Sequence, residues 1–319
     1  MIVSLALLFT VVPMQAHGAK EKFERTKPHV NTGTTVNNVD DSLSGPKRLG
    51  GQRLAISFDG SDLVPVELVS SGLFESRGAY PSGRFSFALD GSSIGYLYPW
   101  LREFLAGRQS PRSGSIYFFK SISGLSYESG VIDYKEKDVR GFRDAVITEV
   151  TFPSLDASSK TPGYITVRVN ARSIREVEAK DLKHQLNTEH KKWLPSNFRF
   201  NIDGLPCDGV TKVDSFTLKQ KILEKHSSVP IPYPTIANLK LTISKADYKA
   251  WENWLNATGG VKKSPDLLSG SITLLSGDQR EKIVTLNLSG VRLVSLREKE
   301  GGRFFEAELS VGKMSLKPT

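Results

Sequence analysis

The stretch FRFNIDGLPCDGVTKVDSFTL (residues 198–218) decides the reading of this chain, because RLAISFDGSDLVPVELVSSGL (residues 53–73) opens in the same way. Each begins with apolar residues at alternate positions: Phe198, Phe200 and Ile202 in one, Leu54, Ile56 and Phe58 in the other. Successive side chains of a strand point to opposite faces, so this period of two predicts a half-buried β-strand. Each strand then meets an Asp-Gly pair, Asp203-Gly204 or Asp59-Gly60, and a second alternating run follows. Asp-Gly accepts the positive φ angles of tight turns, so both openings predict β-hairpins.

The correspondence continues downstream. RFSFALD (84–90) matches NLKLTIS (238–244) as a strand. GYLYPWLREFLAG (95–107) and ADYKAWENWLNAT (246–258) then place Trp100, Leu101, Phe104 and Leu105, or Trp251, Trp254 and Leu255, at helical spacing. An SGSI strand follows in each, at Ser113–Ile116 and Ser269–Ile272. Long alternating strands close each unit: AVITEVTF (145–152) with YITVRVNA (164–171), and KIVTLNLSGVRLVSL (282–296) with FFEAELSV (304–311). One unit of about six strands and one helix therefore occurs twice, a mainly β fold with one helix per unit. The expected organisation is a leader over 1–19, a polar linker over 20–50, a first domain over 51–175, a connector over 176–196 and a second domain over 197–319. The connector holds the charged run EVEAKDLKHQLNTEHKKW (176–193).

Composition agrees with a folded protein of this kind. The 319 residues are 39% hydrophobic, 9% aromatic and 24% charged, which excludes disorder over the whole length. The formal net charge of +9 permits an anionic partner without demanding one. Cys207 is the only cysteine, so neither an intrachain disulfide nor a cysteine-based zinc cage can form. The five histidines (His17, His29, His184, His190, His226) are scattered, with no HExxH pattern.

At the N-terminus, IVSLALLFTVV (2–12) is an apolar run of 11 residues, too short to span a bilayer as a helix. Pro13 and the small residues Ala16, Gly18 and Ala19 follow, as at a signal-peptidase site, although the run is preceded by no Lys or Arg. A genuine leader implies a periplasmic or extracellular location; without one, a virion or cytoplasmic assembly is expected. Either way, no membrane span is expected in the mature chain. AKEKFERTKPHVN (19–31) resembles the N-terminus of elongation factor Tu. That family continues into a phosphate-binding loop ending in Gly-Lys-Thr; here Lys47 follows Pro46 and precedes Arg48. The resemblance therefore implies no GTPase activity.

The repeat as a whole resembles the tail-tube protein family of contractile phages and related injection machines. FRFNIDGL (198–205) carries the family's opening strand and turn, and LAISFDG (54–60) carries it more loosely, with FALDG (87–91) as a competitor. Stretches such as AVITEVTFPSLDASSK (145–160) and KKWLPSNFRFNIDGL (191–205) are those expected of two-unit relatives. The resemblance covers about residues 50–317. It implies two tandem β-sandwich or half-barrel domains whose sheets join edge to edge with other copies, forming a ring or stacked tube. Two units per chain imply a pseudo-hexameric ring of three chains. The implied partners are the chain itself and other tail, sheath or baseplate proteins, with nucleic acid only as lumen cargo. The polar stretches SSGLFESRGAYPSG (70–83) and LEKHSSVPIPYPT (223–235) are the expected stacking segments, the second made extended by Pro230, Pro232 and Pro234. A reading from a different class is a secreted or periplasmic β-sandwich that binds glycan, envelope or protein without forming tubes.

Each chemistry-bearing residue has a plainer role. Trp100, Trp251 and Trp254 have the spacing of a helix covering a sheet, where they serve the core rather than stack on bases or sugars. The Asp-Gly pairs are turn chemistry, not metal ligands. VNNVDD (36–41) lacks the spacing and distal Glu of a calcium loop and reads as a solvated linker. His184 and His190 are expected at the surface. Cys207 follows a turn with no histidine at a spacing that would activate it. No catalytic, cofactor-binding or metal-binding residue is nominated, no cofactor is expected, and the chain is read as a structural protein rather than an enzyme.

Overall fold

The computed structural model describes residues 53–71, 83–121, 131–178, 183–187, 193–220, 233–258, 267–299 and 301–316. The leader, the elongation-factor-like segment, VNNVDD, His190 and most of both expected stacking segments lie outside the described residues.

The first opening strand, β1 (Arg53–Phe58), pairs antiparallel with β2 (Val64–Ser71) on one side and β4 (Arg112–Ser121) on the other. From β2 the ladder passes to β3 (Gly83–Asp90), then to β7 (Tyr164–Ala171), and from β7 to β5 (Val131–Phe152), which returns to β4. Six strands thus close a barrel. A 3-10 turn (Gly91–Leu97) and helix α1 (Tyr98–Leu105) connect β3 to β4. The turn starts where Asp90 accepts a hydrogen bond from the Ser92 amide at 2.9 Å, and Pro99 stands at the start of α1, where its missing N–H costs nothing.

The second repeat uses the same order. β10 (Phe198–Ile202) pairs with β15 (Leu268–Leu275), then come β16 (Lys282–Glu298), β17 (Phe304–Leu316), β14 (Leu239–Ser244) and β11 (Val210–Val213). Helix α2 (Tyr248–Thr258) again lies between the third and fourth strands of the unit. Even the irregularities recur: β5 shifts register against β7 between Ile147 and Glu149, and β16 against β17 between Leu293 and Ser295. The fold is mainly β, two barrel-like sheets with one short helix in each unit.

The SGSI motif has a steric reason in both units. Gly114 lies opposite Phe58 and Gly270 opposite Ile202, the last residues of the two opening strands. A Cβ on Gly114 would run into the Ser57 carbonyl oxygen, and one on Gly270 into that of Asn201. Only glycine lets the opening strand approach its neighbour this closely.

The two Asp-Gly turns differ. In the first, the Ser61 amide donates to the Phe58 carbonyl at 2.8 Å, with φ of +48° at Asp59 and +80° at Gly60, the type I′ pattern. It leads into the expected hairpin, in which Ile56 faces Val64. In the second, the Leu205 amide donates to Ile202 at 3.1 Å and Gly204 (φ +80°) alone is left-handed. No hairpin follows: β10 and β11 do not pair, which corrects the expectation for residues 198–218. The edge of β11 is taken instead by β6 (Leu155–Asp156), a piece of the first repeat, with Leu155 facing Val213.

The exchange is reciprocal. β12 (Phe216–Lys219), from the second repeat, pairs with β5 of the first, and β13 (Thr235–Ile236) extends β12. Phe216 lies flat on Phe152, ring centroids 4.9 Å apart. The apolar interior is accordingly continuous across both repeats, running from Ile56, Phe85 and Val167 through Leu155 and Val213 to Leu241 and Leu309. Helix α1 and the turn before it approach β16 and β17 of the other repeat, so the first helix serves both sheets.

The connector is also more structured than its charge suggests. β8 (Ser173–Val177) and β9 (Lys183–Asn187) continue the line of β7 along β5, pairing with residues 139–143 and 131–135. The expected connector over 176–196 is therefore in part a strand on the long β5.

Candidate assembly edges

Strand edges are where a β protein can bind another chain, because unpaired N–H and C=O groups there accept a further strand. Backbone groups of successive residues face opposite sides, so a few hydrogen bonds fix which residues face an edge. On β5 the Thr148 carbonyl accepts from the Gln220 amide at 2.9 Å, and Leu218 and Phe216 lie opposite Val150 and Phe152. Val150 and Phe152 therefore present their backbones to β12, while Glu149 and Thr151 face β7.

Two edges with no strand beside them among the described residues can be followed residue by residue. The first is the outer side of β10. Bonds from the Leu275 amide to the Asn197 carbonyl and from the Asp203 amide to the Ser269 carbonyl, both 2.9 Å, turn the odd-numbered residues toward β15. Phe198, Phe200 and Ile202 face away. Ile202 is closed off locally: its amide donates to Cys207 Sγ at 3.3 Å and its carbonyl accepts from Leu205. In the first repeat Ser61 does the same for Phe58, its hydroxyl accepting from the Phe58 amide at 3.1 Å. The second edge is the end of β16. Its partner β15 stops at Leu268, opposite Val291, and no strand lies beyond it on that side. The Lys299 amide donates to Phe304 at 2.9 Å, so Ser295 and Arg297 face β17 while Leu296 and Glu298 face outward.

The residues weighed for chemistry fall elsewhere. Trp100, Trp251 and Trp254 are buried, at 4%, 0% and 8% exposure, so no ring face is offered to a ligand. The indole N–H of Trp100 donates to the Ser110 carbonyl, just before β4, at 2.8 Å, and that of Trp251 to the Pro206 carbonyl, just after β10, at 3.0 Å, so each ring is anchored to a loop of its own unit. Asp59 is bound to Arg112 Nη1 at 2.8 Å and to the Ser113 amide at 3.0 Å, tying the turn to β4. It borders a depression of about 360 Å³ that Arg143 and Arg175 also line. Asp156, on β6, is held below the usual carboxylate range chiefly by the Ser158 hydroxyl. Glu308 is lowered mainly by the Asn238 amide at 2.8 Å. Among the described residues no three His, Cys, Asp or Glu side chains stand together as a metal site, and no helix is long and apolar enough to cross a membrane.

Cys207 is a structural thiol. It accepts from Ile202 and donates to the Leu205 carbonyl, and burial, foremost, pushes its pKa up. The thiolate is the reactive form. In the native protein iodoacetamide should therefore modify Cys207 roughly tenfold or more slowly than in denaturant at the same neutral pH. Equal rates, followed by mass spectrometry, would contradict this role.

Trp193 is a residue the sequence pattern gave no reason to single out. It sits in the connector run beside Lys191 and Lys192, yet it is 1% exposed. Its amide donates to the Asp90 carboxylate at 3.1 Å, and its carbonyl accepts from the Gly163 amide at 3.1 Å. A Cβ on Gly163 would lie 2.6 Å from the indole Cζ3, and one on Gly91 would collide with the same ring. Two glycines thus form a slot that holds Trp193 and pins the start of the second repeat to the first.

Neither the family models nor the curated proteins compared with this sequence match it.

Proposed function

We propose that this protein is a structural subunit of a phage-tail-like ring or tube that assembles by strand pairing at sheet edges, three chains closing a pseudo-hexameric ring. The observation that carries the reading is the double occurrence of one strand order, with a helix at the same place in each, joined by strand exchange between the repeats. The pairing of β12 with β5 is a lateral sheet-to-sheet contact between consecutive units. A chain that makes this contact internally needs only to make it once more, with another copy, for each step around a ring. Closure by rotation fills this kind of edge in every copy and leaves none of that kind exposed to aggregate.

In this reading nothing is catalysed. The two barrel-like sheets hold edge strands in position, and binding energy comes from main-chain hydrogen bonds together with apolar contacts such as Phe216 on Phe152. Partners beyond the chain itself would be other tail, sheath or baseplate components.

Negative-stain electron microscopy of the full chain tests the proposal. Rings with threefold or apparent sixfold symmetry, alone or stacked, are expected. A uniform field of isolated particles the size of one chain would refute it and leave a non-assembling β-sandwich binding module as the better reading.

A further inference from the structure

The internal repeat identifies a contact between copies. The shared register shift aligns Ile147 with Leu293, and the residues that follow align in order: Thr148 with Val294, Val150 with Leu296, Phe152 with Glu298. In the first repeat this edge is filled, since Val150 and Phe152 receive β12 from the second repeat. In the second repeat the corresponding backbones, Leu296 and Glu298, face outward with no strand beside them among the described residues. The side chains follow the same contrast: Thr148 is partly covered, while its counterpart Val294 is 46% exposed, one of few large apolar side chains so placed.

We infer that the edge of β16 at Leu296 and Glu298 receives a strand from the first repeat of a second copy of this chain, as β5 receives β12 from the second repeat of its own. The inference rests on the ring reading above and names the seam at which copies join. The occupant is argued from continuity with an interface already present: a second-repeat strand covers the first repeat, so a first-repeat strand of the next copy covers the second. This alternation makes the contact head-to-tail, the kind that closes rings.

The test uses the full chain and Glu298→Pro. Proline removes the outward N–H at a position whose amide is not bonded to β17, which edge strands tolerate. Sedimentation equilibrium should give a trimer or larger ring for the wild type and a folded, predominantly monomeric Glu298→Pro, association weakened at least roughly tenfold for the lost main-chain bond and blocked approach. Amide hydrogen exchange of the wild-type assembly provides a reading that needs no variant. Protection at Leu296 and Glu298 is expected, and free exchange there would overturn the inference even if Glu298→Pro misfolds. A wild type that assembles, with Glu298→Pro assembling equally, overturns this seam alone and leaves the ring reading standing. A dimer closed on itself through β16 overturns the head-to-tail occupant. A monomeric wild type overturns the ring reading and this inference together.

Discussion

Gly114→Val and Gly270→Val are each expected to destabilise the fold by about 3 kcal/mol or more, the upper end of what overpacking costs. The added side chain meets backbone, the carbonyl of Ser57 or Asn201, rather than the end of a side chain that could turn aside. Relief requires β1 to move away from β4, or β10 from β15, which breaks the ladder that starts each unit. The two effects should not be equal in kind. β1 is held on both sides, by β2 and β4, so a shift there opens a closed barrel. β10 is held by β15 alone and can peel away, so the Gly270 variant should lose protection locally before it unfolds. Gly95→Ala is the control, because a Cβ there meets nothing within 4 Å and φ is ordinary. Urea unfolding of the three variants checks the order. A Gly114→Val as stable as Gly95→Ala would remove the steric account of the SGSI motif.

Trp193→Ala should cost about 3–5 kcal/mol, as for other buried tryptophans, and lower the melting temperature by roughly 10 °C in a protein of this size. The loss goes beyond apolar area. The indole fills the slot between Gly91 and Gly163, and neither glycine carries a side chain that could collapse into the space. Filling the slot from the other side should be comparably harmful: in Gly163→Val the new side chain competes with the ring of Trp193 and with Pro195. Because the segment pins the entry of β10 to the corner after β3, Trp193→Ala should also loosen one repeat from the other. Limited proteolysis near residue 190 should accelerate. Thermal unfolding unchanged from wild type would show that Trp193 is not a staple.

The parts of the fold that could be read from residues alone are those set by local period. Alternation at Leu54, Ile56 and Phe58 and at Phe198, Phe200 and Ile202 gave strands, and tryptophans at helical spacing gave the two helices. Their repetition gave the two units. What period cannot specify is the neighbour a strand chooses. β10 and β11 look as much like a hairpin as β1 and β2, yet β11 takes β6 and leaves β10 open. β6 is two residues long and carries no pattern, although Leu155 is fully buried. β8 and β9 were hidden by charge, since EVEAKDLKHQLN lacks the apolar alternation that announces a strand. The open end of β16 was equally unreadable, because Leu296 and Glu298 matter there through their backbones rather than their side chains.

The tryptophans, the Asp-Gly turns and Cys207 all serve to hold strands at fixed angles and close off their ends. Among the described residues, main-chain donors and acceptors on strand edges such as β10 and the end of β16 face no further strand.

Native mass spectrometry of the purified full chain bears most directly on the central claim. The account predicts a complex of three chains, each of 35.2 kDa or its leader-cleaved form, or a stack whose mass is a multiple of that trimer. A single chain persisting at micromolar concentration, at low and moderate salt alike, would contradict it.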